Sequence, residues 1–173
     1  MNPIYGYQPL INLKGDPPGY SCFIGIDPGK KGAIAAIIGQ EVSVWKFTTF
    51  FEMNNILEGL NANNIQIAIL EKVGAMPKQG VVSMFSFGEN FGSWQGLLIA
   101  HNIKFELVAP KIWQKEIDKK ANPDKKLAAI ITAQRLFPNY PIKFNKNNSG
   151  IGDAIIMAHY GKKYYGKEIK DFI

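Results

Sequence analysis

SCFIGIDPGKKGAIAAII, residues 21–38, is the stretch that decides the fold. Its two apolar runs, Ser21–Ile26 and Ala33–Ile38, have the length and β-branched content of strands, and the turn-forming segment DPGKKG joins them as in a β-hairpin. Pro28 ends the first strand because it cannot donate a hydrogen bond to a strand ladder. Asp27 is then the last residue of a buried strand, where a carboxylate is costly unless it is paired or bound to a metal. The alternative is that Asp27 only caps the turn.

After the hairpin, the pattern alternates between strands and helices. The first segment, EVSVWKFT, alternates apolar and polar residues as a third antiparallel strand does. We predict strands at Glu41–Thr48, Ile65–Leu70 and Lys104–Ala109, helices at Phe50–Asn61, Val81–Ala100, Pro123–Phe137 and Ile151–Tyr160, and a helical turn at Pro110–Lys115. This order predicts an α/β fold with a mixed sheet, in which three antiparallel strands are followed by parallel strands and helices cover both faces.

Two further acids occupy positions that resemble that of Asp27. Glu71 directly follows the apolar run Ile65–Leu70, and Asp153 falls in the first turn of a helix for which Ser149 is a suitable N-cap. An acid there also stabilises the helix dipole, so a purely structural role for Asp153 is the alternative. Three acids at one edge of a sheet repel one another unless cations lie between them, and their oxygens suit Mg²⁺ or Mn²⁺. Two such ions ~3.5–4 Å apart are the usual device for phosphodiester hydrolysis, so we expect two.

The charge of the chain indicates a polyanionic partner. The formal net charge is +6 and the pI is about 9.3; residues 101–173 carry 14 Lys and Arg against 7 Asp and Glu, whereas residues 1–100 carry 6 against 7. Arg135 is the only arginine. Because lysines contact phosphates as point charges, backbone or shape recognition is expected rather than sequence readout. A lysine-rich surface that serves only solubility is the alternative.

Composition also excludes several classes of protein. Cys22 is the only cysteine, which excludes an internal disulfide and a cysteine-based zinc site and is typical of a reducing compartment. No apolar run reaches the ~18–20 residues of a membrane span, so we expect no membrane partner. Residues 1–20 lack the basic start and apolar block of a secretory signal. We predict an irregular extension at 1–20, one domain at 21–173 and a cytoplasmic location.

A row of glycines marks the longest predicted helix. Gly88, Gly92 and Gly96 recur at four-residue spacing, lie on one helical face and would let another backbone approach closely. The row predicts a tight helix–helix contact between two copies of the chain, and packing on the chain's own sheet is the alternative. We expect Trp94 and Trp113 to be core residues rather than base-stacking ones.

Several segments resemble a known family. GIDPGKKGAIA around Asp27, the acid Glu71 at the end of a buried strand, and GDAIIMAHYG around Asp153 resemble the RuvC branch of the RNase H-like nucleases. EKVGAMPKQGVVSMFSFGENFGSWQGLL and ELVAPKIWQKEI are similar to the phage-type RuvC-like Holliday junction resolvases, and the resemblance runs from about Phe23 to Gly161. It implies an RNase H-like fold and a homodimeric endonuclease of a bacterial or phage-infected cell, which cuts four-way DNA junctions with Mg²⁺ or Mn²⁺. By position, the three acids match three of the family's four acidic ligands.

The family's fourth acidic ligand has no counterpart here. RuvC-like proteins place an acid or a histidine three or four residues before the final Asp, and those positions hold Gly150 and Ser149, preceded by Asn148. Ser149 could hold a metal-bound water, and Asn148 could offer an amide oxygen. A water-completed site, a weakened enzyme and an engineered substitution all stay open.

Lysines near the acids are the candidate DNA contacts, with solvated surface residues as the alternative. The predicted DNA-binding residues are Lys30, Lys31, Lys72, Lys78, Gln79, Lys115, Lys119 and Lys146. Two rival functions stay open as well. One is another RNase H-like nuclease acting on RNA–DNA hybrids or other branched DNA, and the other is a junction-binding protein with weak or no catalysis because the fourth acid is missing.

Overall fold

The computed structural model describes residues 21–61, 63–74 and 80–166, which form a mixed sheet covered by helices. The strands are β1 (Ser21–Asp27), β2 (Ala33–Ile38), β3 (Glu41–Lys46), β4 (Asn64–Glu71) and β5 (Phe105–Val108). They are ordered β3-β2-β1-β4-β5; β2 is antiparallel to both β1 and β3, and β4 and β5 run parallel to β1. The predicted mixed sheet is confirmed, although β3 and β5 are each shorter than predicted. The predicted extension at 1–20 lies outside the described residues.

Helices lie on both faces of the sheet, as predicted. The helices are α1 (Phe50–Leu60), α2 (Val81–Ala100), α3 (Pro110–Trp113), α4 (Lys125–Leu136) and α5 (Ser149–Tyr165). α1 and α2 share one apolar core with the sheet, and α3, α4 and α5 share the core on the opposite face. Trp94 is fully buried in the first core and Trp113 is 1% exposed in the second, which confirms both as core residues. Across the described ranges, no helix has both the length and the apolar character needed to cross a membrane.

Gly25 allows α5 to lie directly on the central strand β1. A Cβ at this position would overlap the carbonyl oxygen of Ala154 and the backbone nitrogen of Ala158. The two backbones are therefore in contact because residue 25 has no side chain. Since Asp27 lies two residues further along β1 and Asp153 precedes Ala154, this contact brings two of the predicted acids toward the same edge of the sheet.

The start of α5 differs from the prediction. The helix begins at Ser149, so its N-cap is Asn148 rather than Ser149. A 3₁₀ turn at Lys146–Asn148 leads straight into the helix, which therefore begins two residues before the predicted start at Ile151. Asp153 consequently lies in the second turn and not in the first. The helix dipole acts mainly within the first turn, so dipole stabilisation accounts poorly for an acid at this position.

The glycine row on α2 faces away from the sheet. A Cβ at Gly88, Gly92 or Gly96 would meet no atom within 4 Å in the part of the chain that the structure describes. The buried residues of α2 lie two positions further along, about 200° around the helix axis; they are Asn90, Trp94 and Leu98. The alternative that the row packs on the chain's own sheet is therefore wrong.

Candidate metal centre

Asp27 and Glu71 end two neighbouring parallel strands. In the β1–β4 ladder Ile26 pairs with Leu70, so the residues that follow them, Asp27 and Glu71, reach the same edge of the sheet. The residues directly before each acid are buried and apolar, 22–26 in β1 and 67–70 in β4, and both acids are partly exposed. The strand register thus brings these two predicted site residues together.

The first turn of α5 lies against the turn between β1 and β2. A Cβ at Gly150 would lie 2.6 Å from the carbonyl oxygen of Lys31 and 2.8 Å from Oδ2 of Asp27. The helix backbone therefore lies so close to the Asp27 carboxylate that residue 150 has no room for a side chain. Asp153 follows one turn later on the same helix, so α5 brings the third acid to the other two.

The acids interact electrostatically. Burial raises the pKa of Asp27 well above its usual value, and the charges of Asp153 and Glu71 raise it further. Burial, followed by the charge of Glu71, raises the pKa of Asp153 to about 7. Burial also raises the pKa of Glu71. The charge of Glu71 thus disfavours the ionised forms of Asp27 and Asp153, and a bound cation relieves such repulsion.

The three side chains fit a hard divalent cation in their chemistry, because carboxylate oxygens are the ligands that Mg²⁺ and Mn²⁺ prefer. Their arrangement is looser than a coordination shell. Among the described residues, no three acidic, histidine or cysteine side chains are placed to hold one ion. Coordination by Asp27, Glu71 and Asp153 therefore requires the side chains to turn toward a common point.

Lys126 is a cation at this site that was not predicted from the sequence. Its charge lowers the pKa of both Asp27 and Asp153. It is the second residue of α4, where the N-cap Asp124 also forms an ion pair of 2.6 Å with Lys146. One feature of the sequence could have indicated Lys126. Lys125 and Lys126 both lie in the first turn of α4, where the helix dipole favours acids over cations. The carboxylates of Asp27 and Asp153 offset this unfavourable interaction of Lys126 with the helix dipole.

Only part of the predicted lysine set lies at a cleft beside Asp27, and Glu71 and Asp153 do not line that cleft. Asp27, Lys126 and Ser149 line a cleft of about 190 Å³ together with Lys31 and Lys146. Three other predicted DNA contacts of the described chain do not line it: Lys72, Lys115 and Lys119. A fourth, Lys30, does not line it either but is exposed on the turn beside it. The last two predicted contacts, Lys78 and Gln79, lie outside the described residues.

Position 149 opens toward the cleft, whereas position 150 does not. Ser149 lines the cleft, but an acidic side chain at Gly150 has no room because that residue lies against the β1–β2 turn. The Asn148 amide is engaged elsewhere: its Oδ1 accepts a hydrogen bond from Lys46 Nζ at 2.7 Å, and its Nδ2 donates to the Lys143 carbonyl at 2.9 Å. Both polar atoms of the Asn148 amide are thus used by other residues, which leaves Ser149 as the candidate for the family's fourth position.

The arrangement of strands and helices is similar to that of solved RuvC structures. T. thermophilus RuvC in complex with a Holliday junction substrate aligns with a TM-score of 0.56 and 12% identity, over 84% of this chain and 98% of that chain. The chain has the RuvC fold. A second Thermus thermophilus RuvC structure aligns with the same TM-score of 0.56 and 12% identity, over 83% of this chain and 97% of its own. No protein-family model and no curated protein matches the sequence, so the likeness to RuvC is one of fold.

Proposed function

We propose that this chain is a structure-selective endonuclease that resolves four-way DNA junctions by divalent-metal-dependent phosphodiester hydrolysis. The observation that carries the proposal is the acidic cluster of Asp27, Glu71 and Asp153 at the edge of a RuvC-type sheet. The charges of Asp153 and Glu71 raise the pKa of Asp27, and the charge of Glu71 raises the pKa of Asp153. The net charge of +6 and the lysines around the cleft support a DNA partner. A RuvC of the same fold has been solved with a Holliday junction substrate.

Asp27, Glu71 and Asp153 are the residues that would hold Mg²⁺ or Mn²⁺, and we expect two ions. When bound, such ions activate a water and stabilise the leaving oxygen. The carboxyl groups must lose their protons first, and with a pKa of about 7 Asp153 is still partly protonated at neutral pH. Metal binding therefore releases protons. Ser149, at the fourth position, offers a hydroxyl that hydrogen-bonds a water rather than a carboxylate that binds an ion directly.

Lysines of the cleft bind the phosphates of the strand that is cut. Lys126 acts electrostatically on Asp27 and Asp153, and it lines the cleft together with Lys31 and Lys146. A phosphate that approaches three carboxylates is repelled unless cations accompany it, so these side chains hold the strand against the acidic cluster. The contacts carry no base information, which agrees with recognition of junction shape.

We propose that the working form is a homodimer that contacts through α2. The exposed face of α2 combines the glycine row with large apolar side chains near both helix ends. Their positions follow one helical face: Val81, Phe85, Gly88, Gly92, Gly96 and Ile99. Val81 is 78% exposed, Phe85 74% and Ile99 68%. The glycines let two copies of α2 approach closely, and the large apolar side chains near its ends would be buried in the contact. A two-fold dimer presents two equivalent clefts, as the symmetric strands of a junction require.

The dimer is tested by two matched substitutions. Phe85 and Phe51 are 74% and 75% exposed on different helices, so Phe85→Lys and Phe51→Lys add the same charge at equally exposed positions. Only Phe85→Lys should shift the chain from dimer to monomer in sedimentation velocity at micromolar concentration. A monomeric unmodified chain, or equal dissociation of both variants, contradicts the proposed interface.

A junction-binding protein without turnover is the second candidate function. It is favoured by Ser149 at the fourth position and by the loose arrangement of the three acids. Such a protein would bind a four-way junction tightly and selectively but would not cut it in either Mg²⁺ or Mn²⁺.

The proposed function is tested by incubating the chain with a labelled four-way junction, a flap and an RNA–DNA hybrid in Mg²⁺, Mn²⁺ or EDTA. We expect metal-dependent cuts at symmetric positions of the junction, and we expect Asp27→Asn and Glu71→Gln to abolish them while junction binding persists. Binding without cleavage in both metals identifies the junction-binding protein instead. Preferential cleavage of the hybrid or the flap identifies a different RNase H-like nuclease.

A further inference from the structure

Trp113 is held beside Glu71 by the pairing of β4 with β5. Glu71 is in register with Val108, and the backbone nitrogen of Lys72 donates to the Val108 carbonyl at 2.9 Å. α3 begins two residues later at Pro110 and ends at Trp113. The indole ring lies in the core that α4 and α5 share with the sheet, and it is 1% exposed. The pairing of β4 with β5 thus brings the short helix that carries this buried indole to the end of β4, where Glu71 lies.

The indole N–H of Trp113 has no acceptor in normal hydrogen-bond geometry within the ranges that the structure describes. Buried donors nearly always have a partner, and this group can only donate. The carboxylate within its reach is that of Glu71, because the Trp113 N–H lowers the pKa of Glu71 against the effect of burial. Hydrogen bonds between site residues are often long or poorly aligned until a ligand binds.

We propose that Trp113 is a positioning residue whose indole N–H donates to one carboxylate oxygen of Glu71 and leaves the other oxygen for a divalent cation. The inference rests on the metal site proposed above. A neutral donor suits this role because it orients the carboxylate without bringing a positive charge that would compete with the ion. The ring is immobilised by the core around it, so the N–H is held in place before the ion arrives.

Trp94 offers a matched control for this role. It is fully buried and its Nε1 also lacks a partner among the described residues, but it lies in the core on the opposite face of the sheet. Trp113→Phe and Trp94→Phe remove the same group from buried positions, so both should lower the midpoint of thermal unfolding in EDTA. Only Trp113→Phe should weaken Mn²⁺ binding in calorimetry, by about 10–100-fold, as the loss of a ligand's hydrogen-bond partner does. Equal affinities of the two variants overturn the proposal.

Nuclear magnetic resonance of the unmodified chain gives a readout that does not depend on the stability of Trp113→Phe. The chain has three tryptophans, and Trp45→Phe and Trp94→Phe assign their ¹H–¹⁵N indole signals by elimination. During a Mg²⁺ titration the Trp113 signal should move downfield in step with the calorimetric binding curve, while the Trp94 signal stays in place. A Trp113 signal that does not move while Mg²⁺ binds overturns the role of Trp113 alone. No binding of Mg²⁺ or Mn²⁺ overturns the metal site and this role with it.

Discussion

Asp153→Asn should stabilise the metal-free protein. Burial and the charge of Glu71 raise the pKa of Asp153 from 3.8 to about 7. The folded chain then binds this proton more tightly than the unfolded chain, so stability is highest below the unfolded value and falls as pH rises from about 4 to about 7. At 1.36 kcal/mol for each pH unit of that window, ionising Asp153 costs at most about 4 kcal/mol above pH 7. A neutral amide avoids that cost.

Thermal unfolding in EDTA at pH 8 and at pH 5 measures the effect. At pH 8 the Asp153→Asn midpoint should exceed that of the unmodified chain by up to roughly 8–16 °C, the equivalent of about 4 kcal/mol in a chain of this size. The gain should shrink to less than half at pH 5, where Asp153 is mostly protonated in the folded chain. Saturating Mn²⁺ should reverse the order, because only the unmodified chain keeps all three carboxylates for the ion.

Asp118→Asn is the control for a general effect of removing an acid. Asp118 lies at the surface in an ion pair of 2.6 Å with Arg135, and its loss should change stability by less than about 1 kcal/mol. Suppose that Asp153→Asn in EDTA at pH 8 is no more stable than the unmodified chain. Burial and the charge of Glu71 then do not disfavour the ionised form of Asp153. The clustering of the three acids would then be refuted.

Ser149→Asp should raise Mn²⁺ affinity by about tenfold in calorimetry, because it adds a carboxylate at a position that lines the cleft. Gly150→Asp, the neighbouring control, should instead destabilise the fold. If Ser149→Asp gives no gain in affinity, position 149 is not part of the metal site. Gly25→Ala should lower the free energy of unfolding in urea by about 3 kcal/mol or more, since its Cβ overlaps the backbone of α5. A loss below 1 kcal/mol would show that α5 does not lie on β1. Lys126→Met should slow junction cleavage by about 100-fold. The control is Lys119→Met, which changes a lysine outside the cleft. An equal loss of cleavage in both variants argues against a specific role for Lys126.

Local sequence patterns predicted the parts of the site that lie on the sheet. An apolar run followed at once by an acid places Asp27 and Glu71 at strand ends, and parallel neighbours bring such ends together. Periodicity also predicted the bounds of α2 correctly. It could not predict how far α5 extends before Asp153, because a 3₁₀ turn and a helix differ in few sequence preferences.

Contacts between distant segments could not be predicted in this way. Lys46 donates a hydrogen bond to the amide oxygen of Asn148 across more than a hundred positions, so that oxygen is already in use. Lys126 reaches the acids only because α4 lies beside α5. Charge composition predicted a basic protein but not which lysines share a face, and so Lys115 and Lys119 fell outside the cleft while Lys126 was missed.

The close contact at Gly25 has a consequence for synthesis on the ribosome. β1 leaves the exit tunnel well before the helix that lies on it, Ser149–Tyr165, because three further strands and four α-helices are made between β1–β2 and that helix. Until then one apolar face of the hairpin is uncovered, which exposes the nascent chain to aggregation and to chaperones. Asp153 meets Asp27 and Glu71 only after that helix has docked, so no shorter nascent chain possesses the complete acidic cluster.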